Sequence, residues 1–158
     1  DRFALATVHR AENKDNVDSL KEILLSFNEI NQKIPVILSL HPRTKKRINE
    51  IGLELEFSVI EPVGYLEMVW LIQNSYMILT DSGGLQKEAY FFERPCITLR
   101  EETEWTELVD GGYNFLVGAD KFKILDAFNR INQVHFSNKG LYGNGDTSAI
   151  IIETLRSF

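Results

Sequence analysis

The sequence predicts an α/β chain, a parallel sheet with helices on both faces, and three features carry that reading. Six short aliphatic or β-branched runs recur along the 158 residues. Segments of helical period, joined by loops of a few residues, separate them. The runs are continuously apolar and do not alternate, as strands buried on both faces should be.

The first run, FALATV (3–8), is followed by VDSLKEILLSFNEINQ (17–32), in which Leu20, Ile23, Leu24, Phe27 and Ile30 fall on one helical face. PVILSL (35–40) is the second strand, and the basic run RTKKR (43–47) after it reads as a solvated helix face. FSVIEP (57–62) precedes YLEMVWLIQN (65–74), a helix whose stripe of Leu66, Val69, Trp70 and Gln73 puts Trp70 in the core. YMILT (76–80), CITL (96–99) and NFLV (114–117) complete the strands. Helices are expected over 84–93, 104–110, 120–133 and 148–155, the last preceded by the loop-rich SNKGLYGNGDTS (137–148). No repeat, low-complexity tract or linker divides the sequence, so residues 1–158 read as a single domain.

An apolar content of 44% supports a sizeable core, and a net charge of -6 argues against a nucleic-acid or anionic-membrane surface. No apolar run reaches the length of a membrane span. Cys96, the only cysteine, lies in an apolar strand, which excludes an internal disulfide and points to a reducing, cytoplasmic setting. His9, His41 and His135 stand far apart with no second cysteine, so no metal site is expected, and no cofactor. The opening DRFALATVHR has no Met and is already in a strand, so an upstream portion is expected.

Ligands of parallel sheets bind outside the carboxyl ends of the strands. Here those ends carry HRAEN, HPRT, EPVGY, TDSGG and REETEW, which hold most of the polar and glycine-rich peculiarities of the chain. TDSGGLQKEA (80–89) admits two readings. The serine-protease reading needs a histidine base and an orienting carboxylate on antiparallel barrels, and G-x-S-x-G is not matched because Thr80 takes the place of the first glycine. In the second reading Ser82, Gly83 and Gly84 open a helix, whose free amides and dipole attract a phosphate. Glycine admits the ligand to the backbone without a Cβ in the way. Glu88, further along the same helix, leans back toward its start and suits a ribose diol. The plainer alternative makes Ser82 a simple N-cap and Glu88 a surface residue.

At the end of the first strand, His9 and Arg10 can donate to a diphosphate from the opposite side, with Glu12 holding either of them. The competing reading is a surface ion pair between Arg10 and Glu12. His41 ends the second strand before Pro42 and either lines the crevice or is structural. Trp105, in a polar segment, is the better candidate for an aromatic at the site. His135 suits the end of a helix.

HRAEN (9–13), DSGGLQKEA (81–89), LREETEW (99–105), GYNFLVG (112–118) and LYGNGDTS (141–148) resemble, in the same order, segments of the non-hydrolysing UDP-N-acetylglucosamine 2-epimerases. The resemblance runs from Phe3 to the end and implies the C-terminal half of an enzyme with two Rossmann-like domains in the glycosyltransferase-B arrangement. It implies that His9 contacts the diphosphate or sugar and is catalytic, and that Ser82, Gly83 and Gly84 bind phosphate with Arg10 and Trp105 nearby. Glu88 would hold the ribose hydroxyls, and Val63 and Met68 would border uracil. Arg10 and His41 are implied at a second, activating UDP-sugar site. The implied reaction eliminates UDP to a 2-acetamidoglucal and adds it back with inversion at C2.

The chain departs from the family wording in places. Val63 and Met68 stand where many members have glutamine and phenylalanine, and Trp105 where some have arginine, for which Arg100 is a conceivable substitute. The implied partners are a UDP-sugar, an N-terminal domain carrying the acid and base, and a second subunit. The same chemistry on a diacetamido uronate, and a glycosyltransferase donor domain, are the alternative readings.

Overall fold

The computed structural model describes residues 2–40, 42–136 and 140–158, with the side chains at 42 and 43 excepted. Six strands form one sheet: β1 (Ala4–Thr7), β2 (Val36–Ser39), β3 (Ser58–Ile60), β4 (Met77–Thr80), β5 (Cys96–Thr98) and β6 (Asn114–Leu116). Every neighbouring pair is parallel, in the order β3-β2-β1-β4-β5-β6. The helices are α1 (Ala11–Lys14), α2 (Val17–Asn31), α3 (Pro42–Ile51), α4 (Tyr65–Asn74), α5 (Gly83–Phe91), α6 (Thr106–Asp110), α7 (Lys121–Arg130) and α8 (Thr147–Arg156), and a 3-10 turn at Ile131–Gln133 prolongs α7.

Successive strand residues supply two cores, because side chains alternate across a sheet. Ala4, Ala6, Met77, Leu79 and Ile97 face α2 and α7, where Leu20, Ile23, Leu24, Phe27, Ile30, Ile124 and Phe128 meet them. Leu5, Ile78 and Cys96 face the other way, toward Ile72 of α4 and Leu85 and Ala89 of α5. Burial on both sides is the physical reason for the unbroken apolar runs. The fold is therefore the α/β, Rossmann-like parallel sheet with helices on both faces that the pattern predicts.

Local chemistry starts the long helices. Asn16 accepts from the amides of Asp18 and Ser19 at 3.0 and 3.1 Å to cap α2, and Asp120 accepts from Lys123 N at 3.0 Å to cap α7. The basic run lies on α3, where Lys45, Lys46 and Arg47 are exposed while Thr44 and Ile48 are buried. One expectation is corrected: Trp70 is 60% exposed and Leu66 78% exposed, so the stripe on α4 is not core. The buried contact of α4 runs instead through Ile72, with Met68 and Leu71 packed beside it. The four-residue α1 was not legible in the sequence, since it is too short to show a period. Pro42 opens α3, consistent with its lack of an amide donor and its fixed φ.

The strand order places the site. After β3 the chain crosses back to lay β4 against β1, so the connections from β1 and β4 leave neighbouring strand ends in different directions. That reversal opens a crevice beyond the carboxyl ends of β1 and β4. HRAEN and DSGG are the segments that follow those two strands.

Candidate functional site

Asp81, the residue after β4, is fully buried and ties the two sides of the crevice together. Its Oδ2 accepts from the amides of His9 and Arg10 at 3.1 and 3.0 Å and from Asn13 Nδ2 at 3.1 Å. Its Oδ1 also faces His9, with the amide at 3.2 Å and Nδ1 at 3.6 Å. Asn13 is buried on α1 and donates a second bond to Leu99 O at 2.9 Å, so the end of β5 joins the same knot. A sequence reading centred on His9 and Ser82 overlooked Asp81 and Asn13. The signal was available: each is a polar residue within a motif that follows a strand, and each is an interior hydrogen-bonding group.

Beneath this knot the strand ends are joined by hydroxyls. Thr7 Oγ1 and Thr80 Oγ1 lie 2.6 Å apart across β1 and β4, and Ser82 N donates to Thr80 Oγ1 at 2.9 Å. Ser82 is the N-cap of α5, its Oγ accepting from Leu85 N at 3.4 Å. The capping role and a ligand role are compatible, because the cap engages Leu85 alone. Gly83 is half-buried and Gly84 exposed, and neither amide donates to a partner among the described residues. The start of α5 thus presents free donors at the positive end of the helix dipole.

Arg10 reaches the same turn. Its Nη2 lies 4.0 Å from the point a Cβ on Gly83 would occupy, and 3.7 Å from Glu104 Oε1. Glu104 is gripped by both terminal nitrogens, Nη1 and Nη2, of the Arg100 guanidinium, at 2.8 and 3.1 Å. Those hydrogen bonds hold its carboxyl down at about 2, well below the ordinary 4.5. Arg100 is 7% exposed, and its Nε faces Glu12 Oε1 at 3.7 Å. Glu12 therefore pairs with Arg100, and the partner of Arg10 is Glu104, in place of the Arg10–Glu12 pair considered from the sequence.

The remaining candidates are distributed around this centre. His9 has its side chain 54% exposed, with its backbone fixed and its ring toward the crevice mouth beside Asp81. Glu88 is half-buried on α5, its carboxylate without a hydrogen-bond partner among the described residues, and desolvation raises its carboxyl above the ordinary value. Trp105 is the N-cap residue of α6 and donates its indole Nε1–H to Gly83 O at 2.8 Å. Val63, half-buried, lies between β3 and α4, and Met68 packs on the cluster that contains Leu85 and Ala89. His41 falls outside the described residues. His135 is exposed beyond the 3-10 turn. Among the described residues no group of three or more His, Cys, Asp or Glu is arranged to hold a metal, and no helix is long and apolar enough to cross a membrane.

The arrangement offers an anion directed donors: two free glycine amides on one side, a guanidinium near them with the Glu104 carboxylate also beside Gly83, and an imidazole across the crevice. Known proteins resemble the chain in sequence and fold. A family model described as UDP-N-acetylglucosamine 2-epimerase matches residues 1–156. The chain is 51% identical over 157 residues to the UDP-2,3-diacetamido-2,3-dideoxy-D-glucuronate 2-epimerase of Pseudomonas aeruginosa, covering 98% of this chain and 44% of that protein. A UDP-N-acetylglucosamine 2-epimerase of Methanocaldococcus jannaschii, solved with UDP-GlcNAc and UDP, superposes with a TM-score of 0.87 at 42% identity, over 100% of this chain and 46% of that one. An Escherichia coli heptosyltransferase with ADP, at 13% identity and a TM-score of 0.55, shares the fold alone. The chain spans a little under half the length of the relatives it matches. With the family model matched along nearly the whole sequence, the chain belongs to the UDP-N-acetylglucosamine 2-epimerase family.

Proposed function

We propose that this chain is the nucleotide-binding, C-terminal half of a two-domain epimerase that interconverts UDP-N-acetylglucosamine and UDP-N-acetylmannosamine. The observation that carries the reading is the convergence of His9, Arg10 and the Gly83–Gly84 turn on one crevice, through Asp81. In this reading the diphosphate sits over the amides of Gly83 and Gly84 beside Ser82, with Arg10 and His9 on its other flank. Glu88 accepts from the ribose hydroxyls, and Val63 and Met68 border the uracil. Breaking the anomeric carbon–oxygen bond leaves charge on the departing phosphate oxygen, and preorganised donors stabilise such charge at little reorganisation cost. His9 is the residue nearest that role. The acid and base at C2 come from the other half of the polypeptide, so the chain by itself binds UDP weakly and turns nothing over.

The 51% identical relative favours a second substrate for the same chemistry, a UDP-diacetamido uronate. The contacts that separate the two sugars belong to the partner half. A second activating site involving Arg10 and His41, a homodimeric assembly and a cytoplasmic setting go with this reading. Calorimetry of the chain with UDP, GDP and ADP tests it: UDP is bound in preference, and equal or absent binding at millimolar nucleotide overturns it. In the two-domain enzyme, His9→Ala loses turnover, and unaltered kinetics would remove His9 from the mechanism.

A further inference from the structure

Three consecutive residues of the loop between β5 and α6 each hold a different part of the proposed anion cradle. Thr103 Oγ1 donates to Gln86 Oε1 at 2.8 Å, and Gln86, fully buried, donates from Nε2 to Ser82 O at 3.3 Å. Glu104, fixed by Arg100, faces Arg10 Nη2 at 3.7 Å. Trp105 donates its indole N–H to Gly83 O at 2.8 Å. The indole is itself wedged: Lys87 Nζ lies 4.3 Å from its ring centre and 4.2 Å from that of Tyr142, and the two rings meet edge to face at 6.2 Å.

We propose that Thr103, Glu104 and Trp105 form a positioning brace, which acts on the ligand through the glycine turn and Arg10 and not by touching the nucleotide. The physical link is the planar trans peptide. Gly83 C=O and Gly84 N–H belong to one rigid unit and point in opposite directions, so anchoring the oxygen on Trp105 aims the hydrogen the other way. Glycine at both positions has the widest conformational freedom of any residue, and without an external anchor that freedom would be lost only when the ligand arrives. Thr103 sets the preceding carbonyl through Gln86, and Glu104 sets Arg10. Trp105 is thereby a positioning residue, its only indole donor committed to the backbone.

This inference rests on the anion reading of the crevice, and the experiment separates the two. Nitrogen-15 spectra of the 158-residue chain resolve the indole N–H groups of Trp105 and Trp70, the latter 60% exposed and serving as an internal reference for free exchange. The Trp105 indole N–H should exchange with water at least about 10-fold more slowly than that of Trp70, as expected for a made hydrogen bond. Inorganic pyrophosphate should then move the Gly83 and Gly84 amides and leave the Trp105 indole protected. Trp105→Phe keeps an aromatic ring against Lys87 and loses the N–H. It should weaken UDP about 3- to 10-fold while uridine binding stays unchanged, and Thr103→Val should do the same. An indole exchanging as fast as that of Trp70, or folded variants whose UDP to uridine ratio equals wild type, overturns the brace. A protected indole in a chain that binds neither UDP nor pyrophosphate leaves the brace in place and overturns the functional reading instead.

Discussion

Removing the Asp81 carboxylate should markedly destabilise the domain. The carboxylate is fully buried and receives three N–H donors on Oδ2 within 3.1 Å. In Asp81→Ala, Asn13 keeps its bond to Leu99 O, so it loses one charge-assisted bond, roughly 1.5–3 kcal/mol. The amides of His9 and Arg10 sit beside more exposed side chains and can recruit water, so each loses about 0.5–1.5 kcal/mol. The total centres on about 4 kcal/mol, a large share of the 5–15 kcal/mol by which domains are stable. With a urea slope of about 2 kcal/mol per molar, the unfolding midpoint followed by circular dichroism should fall by about 2 M. Asp81→Asn can place its amide oxygen where Oδ2 lies and keep the same three donors, losing mainly the charge, about 1–2 kcal/mol. If Asp81→Ala moves the midpoint by less than about 0.5 M, or Asp81→Asn proves the more damaging change, the knot does not stabilise the segments that follow β1 and β4.

Three further outcomes are expected. Burial raises the Glu88 carboxyl, so its charged form destabilises the fold once the pH climbs past the ordinary carboxylate range. Glu88→Gln should therefore melt no lower than wild type at neutral pH, while its UDP affinity by calorimetry drops by ~1–3 kcal/mol; a lower melting temperature with unchanged affinity would reverse the assignment. Cys96 is fully buried with its thiol pushed up to about 12, so it should resist a thiol reagent at pH 8 until urea unfolds the chain, and prompt native labelling would contradict its place in β5. The Glu104 carboxyl is held near 2, below its ordinary 4.5, so its pairing with Arg100 favours the fold above pH 4.5 and is lost as the pH falls toward 2. Melting temperatures of wild type and Glu104→Gln should differ at pH 6 and converge toward pH 2. A constant difference across that range would assign the effect to packing.

The sheet was legible because burial on both faces leaves so little choice of residue. Leu5, Ile78 and Cys96 serve one core, and Ala6, Leu79 and Ile97 serve the other, and the buried polar strand residues Thr7, Thr80, Thr98 and Asn114 bond across neighbouring strands. The helix start at Ser82 was legible for a related reason, since a serine ahead of a glycine pair after a strand suits an N-cap. Partner choice among charged residues was not. Arg10 and Glu12 are two apart in sequence, yet Glu12 turns to Arg100 and Arg10 to Glu104, because α1 sends the two side chains in different directions. Trp70 failed for another reason: its helical stripe is real, but the buried line of α4 passes through Met68, Leu71 and Ile72, and periodicity alone does not say which stripe a sheet will cover.

Under the proposed function, anion binding in this crevice has to work against the local charge. Asp81, Glu12 and Glu104 bring three carboxylates to the mouth, against the guanidiniums of Arg10 and Arg100, in a chain of net charge -6. A diphosphate attracted by net field alone would be turned away. The carboxylates are, however, committed: Asp81 to the amides of His9 and Arg10, Glu104 to Arg100 and Arg10, Glu12 to Arg100. Each spends its charge on orienting a donor, and the donors left over, the amides of Gly83 and Gly84, carry the helix dipole, with the Arg100-held Glu104 carboxylate close beside Gly83. Such a site selects by direction and distance and not by charge density. In the proposed function that suits a ligand which must be held while its bond to the sugar breaks and then released or rejoined, because directed donors favour the charge that develops on one oxygen over the charge already spread across the diphosphate.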